Sequence, residues 1–317
     1  MRWNKLGQIF NPADWDLGAG IIGYAQSPQA LVFDDFVRIY FSTRRACAPG
    51  KFHSTIRFVD YAKDFSRILR VSSHDVIADG ALGSFDEHGI FPMNVLRVEG
   101  KLLAYTSGWS RRKSVDVDMA IGLTQSHDNG ETFVRLGMGP VLCASLNEPF
   151  LVGDPFVRVE NGIFHMWYIF GNAWKIYPPS PTPERIYKIA HASSVDGVHW
   201  VKDEGMTPIA NVLGVDECQA LPSVITIARR HHMFFCYRYA HDFRVNPARG
   251  YRIGHAVSDD LRHWTRDDAA LCLAPSANGW DSEMLCYPHV FTVDEKIYLL
   301  YNGNAFGKHG FGIAQLE

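Results

Sequence analysis

The sequence lacks the features that would place it in a membrane, on nucleic acid or around a zinc ion. Nowhere do 18 apolar residues run together, and Met1–Lys5 is not followed by an apolar stretch, so neither a spanning helix nor a secretion signal is expected. Lysine and arginine form no long run and the formal net charge is only -3, which argues against nucleic acid as a partner. The six cysteines (Cys47, Cys143, Cys218, Cys236, Cys272 and Cys286) have neither zinc-ligand nor disulfide-framework spacing, the pattern of free thiols in a reducing cytoplasm. Fourteen histidines include no His-Glu-x-x-His pair. No metal or cofactor is therefore expected, with a structural calcium or an axial water site left open.

What the sequence does contain is a long period. Tyr287-Pro288-His289-Val290-Phe291-Thr292-Val293, a turn, and Lys296-Ile297-Tyr298-Leu299-Leu300-Tyr301 read as an apolar strand opened by proline and a second strand ending in tyrosine. The same pattern occurs at Pro28 to Tyr40, Pro92 to Tyr105, Pro155 to Tyr168 and Pro222 to Tyr237, with prolines 64, 63, 67 and 66 residues apart. Five such units fill the 317 residues, and each holds enough strand signal for one four-stranded blade. The expected fold is all-β: a five-bladed β-propeller of antiparallel blades, one domain over residues 1–317.

The second half of each unit reads as a hairpin. Ser126-His127-Asp128-Asn129-Gly130-Glu131-Thr132-Phe133 supplies a side-chain acceptor and a glycine where a tight turn needs them. It matches the Asp-box turn found in sialidases, and turn chemistry alone explains it. Asp196, Asp259, Trp200 and Trp264 are read in the same way, as turn acids and blade-packing aromatics. Residues 1–12 resemble the end of a unit, whereas the last unit stops one strand short after Phe311–Ala314. The N-terminal segment is thus expected to complete the final blade and close the ring, leaving no raw sheet edge.

Function is sought where the repeat breaks: Arg44 to Ser54, Gly171 to Arg185, and Tyr239 to Arg252. Each follows a second strand, on the disc face that also receives the entries of the first strands. Acids stand at those entries. Glu87, Glu217 and Glu283 each lie five residues before their proline, and Asp154 sits in Gly153-Asp154-Pro155. At the exits stand Arg44, Trp109, Asn172, Arg238, Asn302 and Asn304, while Tyr287 and His289 flank the last proline. Carboxyls gathered in a narrow funnel shift one another's pKa values, and glycoside hydrolysis needs one protonated and one ionised acid. Asp154, Glu283, Glu217 and Glu87 are the catalytic candidates, and the exit residues with Tyr287 and His289 are candidates for binding a carbohydrate. Each single glutamate has a plainer alternative as a turn cap or a partner of an arginine.

On these segments the chain resembles the five-bladed β-propeller glycosidase superfamily, which includes family 43 arabinanases and xylosidases, invertases, levansucrases and the family 130 mannosyl phosphorylases. The resemblance implies that Asp154 is the central-blade aspartate that stabilises the transition state or positions the acid, and that Glu217 lies in the blade supplying the general acid. Trp280 to Pro288 and Tyr301 to Gly307 resemble glycosidase-like propellers of surface-polysaccharide gene clusters. The chain departs from the pattern on the first inner strand, where Tyr24 to Gln29 contains no acid to act as base. Three readings follow: a glycoside hydrolase using a carboxylate pair, a phosphorylase in which Arg44, Arg238 and His289 hold inorganic phosphate, and a glycan-binding protein without catalysis.

Overall fold

The five predicted units form five four-stranded antiparallel sheets, seen in a computed structural model that describes Met1–Glu317. The N-terminal strand β1 (Trp3–Phe10) precedes them. Blade 1 is β2 (Gln26–Val32), β3 (Phe36–Ala48), β4 (Lys51–Ala62) and β5 (Ile68–Val71). Blade 2 is β6 (Ile90–Val98), β7 (Lys101–Ser110), β8 (Asp118–Ser126) and β9 (Val134–Arg135). Blade 3 is β10 (Val152–Glu160), β11 (Ile163–Ile176), β12 (Pro183–Ser194) and β13 (Val201–Lys202). Blade 4 is β14 (Cys218–Ile227), β15 (Arg230–Arg238), β16 (Arg252–Ser258) and β17 (Thr265–Arg266). Blade 5 is β18 (Cys286–Val293), β19 (Lys296–Asn302) and β20 (Phe311–Leu316), with β1 as its outermost strand.

The inner strands β2, β6, β10, β14 and β18 pack side by side in that order, and β18 returns to β2. The seam between blades 5 and 1 is packed like a core: the Phe10 ring lies 5.0 Å from Phe41 and 5.2 Å from Phe311. Elsewhere an aromatic of one blade's second strand reaches the next blade's turn. The Tyr40 hydroxyl donates to the Gly130 carbonyl (2.9 Å), Tyr105 to that of Gly197 (2.8 Å), and the Trp167 indole to that of Leu261 (3.3 Å). Phe133, Trp200 and Trp264 pack edge-on against the same three rings, between blades as expected. In blade 4 the turn acid is Asp260, whose carboxylate accepts from the Arg262 and His263 backbone N–H groups; Asp259, expected in that role, pairs with Arg230 instead.

Every inner strand is bulged at its proline, with a register shift in all five blades. Ser27, Asp154, Leu221 and Tyr287, each preceding that proline, have positive φ, a sparsely populated conformation that costs on the order of 1–3 kcal/mol per residue. A bulge re-aims the side chain at the kink. The fold therefore presents one such residue in four of the five blades, and only Asp154 among them is acidic.

Candidate functional site

The shared mouth of the blades is a funnel of about 710 Å³. Blades 1 and 3 raise long hairpins beside it: β3 and β4 run 13 and 12 residues, β11 and β12 run 14 and 12. Two of the three stretches that break the repeat contribute to the lining, through Arg44, Phe52, Phe243 and Tyr251; Gly171 to Arg185 adds only its last residue, Arg185.

Asp154 does not itself line this funnel, but it interacts electrostatically with Arg185 and Tyr287, which do. It is 5% exposed, and its backbone N–H donates to the Ser107 hydroxyl at 3.3 Å. The preceding Gly153 has no room for a Cβ, which would stand 2.6 Å from that hydroxyl and 2.5 Å from Met119 Cε. Burial pushes the Asp154 carboxyl up to about 7, against the opposing pull of the Leu221 backbone N–H and the Arg185 charge. An acid held there is part protonated at neutral pH, as a proton donor must be.

The other three catalytic candidates do not line the funnel either. Glu217 is fully buried and faces the outermost strand of its own blade, 2.6 Å from Arg266 Nη1. It also accepts from the Val212 and Leu213 backbone N–H groups at 2.8 Å. Glu87 accepts from the Gly83 N–H (2.7 Å) and contacts His88 (3.2 Å) within its own turn. Glu283 is exposed, and its backbone N–H and carbonyl are tied to Asn304 and Arg252.

The binding candidates divide in the same way. Arg44, Trp109, Arg238 and Tyr287 line the funnel. Asn172 is exposed at a bulge of β11 and lies outside it. Asn302 is wholly buried and stitches blade 5 to blade 1, donating to the Ala25 carbonyl (2.7 Å) and accepting from the Ser27 N–H (2.8 Å). Asn304 accepts from the Glu283 N–H (2.8 Å) and holds the loop before β18. His289 is buried between Phe156 and Phe291, with neither ring nitrogen hydrogen-bonded, and burial lowers it to about 4. Arg185, Tyr187 and Phe306, and the run Arg111 to Lys113, line the funnel but were not singled out as site residues. The run is a visible basic cluster just past Trp109, which is the signal that would have found it.

The lining is strongly basic. Eight of its side chains are lysine or arginine against a single acid, the exposed Asp116, although the whole chain is slightly acidic. Arg112 pairs with Asp118 and Arg244 with Glu184, but the other six cations have no carboxylate partner. Arg238 is the most enclosed, with its guanidinium 3.5 Å from the Phe243 ring centre and bonded to the Tyr187 hydroxyl (2.8 Å). Burial holds the Tyr187, Tyr251 and Tyr287 phenols above their ordinary range, so all three stay neutral. Unpaired cations in a partly desolvated wall are costly unless an anion arrives to meet them.

The chain matches no protein-family model. It is 32% identical over 323 residues, spanning the whole of both chains, to the protein Rv1502 of Mycobacterium tuberculosis strain H37Rv, and equally to its counterpart MT1551 of strain CDC 1551. Both are uncharacterised. Among solved structures, the β-1,2-mannobiose phosphorylase of Listeria innocua covers 100% of this chain and is itself 97% covered, at a TM-score of 0.68 and 13% identity. A glycoside hydrolase matches over 99% of this chain and 91% of its own at 0.74 and 16% identity. A thermostable family-43 glycoside hydrolase matches over 94% and 89% at 0.64 and 14% identity. At these identities the shared property is the fold, a five-bladed propeller found in glycoside hydrolases and phosphorylases.

Proposed function

Because this chain belongs to the family of the mycobacterial protein Rv1502 and has the fold of enzymes that cleave glycosidic bonds, we propose that it cleaves such a bond by phosphorolysis. The observation that supports this reading is a buried carboxyl, held at about 7 by desolvation, beside Arg185 in the wall of a basic funnel. Hydrolysis with a carboxylate pair requires a second acid to activate water or attack the sugar. Asp116 is the only acid in the lining, and it is exposed on the rim loop. An anionic nucleophile needs no such base.

In this reading Arg185 holds inorganic phosphate, with the buried charge of Arg238 behind it. A phosphate oxygen bonds to the anomeric carbon as the glycosidic C–O bond breaks. The proton of Asp154 passes to the departing oxygen, and the proton released from hydrogen phosphate restores Asp154. The products are a sugar 1-phosphate and a shortened alcohol. The neutral phenols of Tyr187, Tyr251 and Tyr287 are suited to hydrogen-bonding sugar hydroxyls.

The test runs the reaction backwards. A panel of sugar 1-phosphates is offered with monosaccharide acceptors, and inorganic phosphate release is followed. The expected result is release with at least one donor, reduced 1,000-fold or more by Asp154→Asn. Glycan cleavage that depends on Asp154 but is equally fast without phosphate would replace this reading with hydrolysis. Saturable sugar binding with no product in either direction would leave a binding protein.

A further inference from the structure

One wall of the funnel, built by blades 1 and 2, is a ladder of alternating aromatic rings and guanidinium groups. The Arg44 guanidinium carbon lies 3.8 Å from the Tyr24 ring centre and 4.2 Å from that of Phe52. The Phe52 and Trp109 rings are 5.8 Å apart, and the Arg111 guanidinium sits 5.0 Å over Trp109. Arg111 Nη2 donates back to the Phe52 carbonyl at 2.5 Å, tying the exit of β7 to the β3–β4 hairpin. Arg44 spends one N–H on the Gln26 side chain (3.2 Å), and neither arginine meets a carboxylate.

Stacking fixes the plane of a guanidinium while leaving its N–H edge free. That edge matches a carboxylate through two parallel hydrogen bonds, and the ring faces between the arginines match the C–H face of a pyranose. The opposite wall differs. There Arg238 spends Nη1 on the Tyr239 and Ala240 carbonyls and Nη2 on the Tyr187 hydroxyl, while its Nε is buried without a partner, so it acts chiefly as a fixed charge.

We propose that the Arg44–Phe52–Trp109–Arg111 wall is a subsite for an acidic pyranose, a sugar unit bearing a carboxylate, and that the substrate is therefore an anionic glycan. This rests on the phosphorolytic reading only for the statement that the bound glycan is cleaved; the subsite stands on the ladder itself. Lys51 and Lys113, exposed at the rim and without acidic partners, extend the positive field towards the glycan beyond the subsite.

Binding of glucuronate, galacturonate and mannuronate is measured by calorimetry or ligand-observed NMR against the parent neutral sugars and their 6-phosphates, at low and at physiological salt. At least one uronate should bind 10-fold or more tightly than its neutral parent, with the advantage shrinking as salt rises. Arg111→Gln should remove that advantage, with Lys113→Gln giving a smaller loss in the same direction. Thermal melts confirm that both variants are folded. Equal affinity for uronates and neutral sugars, an advantage that survives Arg111→Gln, or a preference for the 6-phosphates would overturn the assignment. Its failure is separable from that of the phosphorolytic reading. Asp154-dependent turnover together with equal affinity for uronates and neutral sugars removes only the subsite, whereas Arg111-dependent uronate binding without turnover removes only the catalysis.

Discussion

Four acids in the segments that lead into the inner strands, Asp86, Glu148, Glu217 and Asp281, are buried like Asp154 but treated in the opposite way. Asp86 meets Arg135 (2.6 Å), Glu148 meets Lys202 (2.6 Å), Glu217 meets Arg266 (2.6 Å) and Asp281 meets Lys5 (2.7 Å). In each case the cation stands on the outermost strand of the same blade: β9, β13, β17 and β1. The pairing is a clamp, repeated in four of the five blades, that ties the chain entering a blade to that blade's outer edge. Asp154 has no such clamp, and Arg185, the cation that acts on it, has no carboxylate ion-pair partner of its own. The scaffold neutralises the charges it uses for itself. Those it leaves unneutralised lie around the funnel, where a ligand can neutralise them.

The comparison breaks most severely where a clamp coincides with ring closure. Deleting residues 1–10 removes Lys5 together with the buried Trp3 and Phe10 and exposes the edge of β20. Each aromatic alone is worth about 3–5 kcal/mol, against a total stability of about 5–15 kcal/mol. The truncated chain should lose its cooperative thermal transition and aggregate, which light scattering during a melt would register. A soluble truncated chain with an unchanged transition would show that β1 is dispensable.

Glu217→Gln breaks a clamp without touching closure. It leaves Arg266 buried beside an uncharged partner, a loss of about 3–5 kcal/mol by denaturant titration. At temperatures where the variant is still folded, its turnover should equal that of the parent. A loss of turnover in the folded variant would instead return Glu217 to the general-acid role that the glycosidase resemblance implies for it.

Asp154→Asn should act in the reverse sense, removing turnover while raising stability. With the folded carboxyl at about 7, above its ordinary value of 3.8, the unfolded chain gives up this proton first as pH rises. Stability is thus intact below about pH 4 and lost progressively up to about pH 7. Asparagine carries no such penalty. The difference between variant and parent should be near zero at pH 4 and reach at most about 4 kcal/mol by pH 8. His289 titrates in the opposite direction, losing stability as pH falls towards 4, and cancels in the difference. A constant difference across this range would mean that Asp154 is ionised throughout.

The ring was legible in the sequence because its marks are local and repeated. Proline-opened strands, serine–aspartate turns and the unpaired strand at each terminus need only neighbouring residues to be recognised. The kink at Asp154 was legible for a related reason, since a proline marks the bulge of the inner strand in every blade. The fate of the entry glutamates was not legible. Along an extended segment a shift of one residue reverses the direction of a side chain, and the partner of Glu217 lies 49 residues away, on a two-residue strand. Asn302 and Asn304 look like binding residues at a strand exit, yet the Asn302 amide meets blade 1 backbone that only the closed ring brings near, and the Asn304 amide holds the loop before β18. The arginine–aromatic ladder was hidden because Tyr24, Arg44, Phe52, Trp109 and Arg111 come from two blades and share no spacing.

The smallest expected effect lies on the outer turns, where repetition marks structure. Asp128 accepts from the Thr132 backbone N–H (2.9 Å) and hydroxyl (2.6 Å), and Ser126 Oγ accepts from the Gly130 N–H (2.8 Å). Burial raises the Asp128 carboxyl, but its hydrogen bonds with Thr132 and Ser126 together outweigh that and hold it below its ordinary value. Asp128→Ala should cost about 1 kcal/mol, the usual worth of one lost turn or cap acceptor. Because the turn supports the carbonyl that Tyr40 of blade 1 bonds, the loss should appear as faster unfolding with turnover unchanged. Turnover that falls in step with stability would place the outer turns under the same constraint as the funnel, and repetition would then no longer distinguish structure from function in this fold.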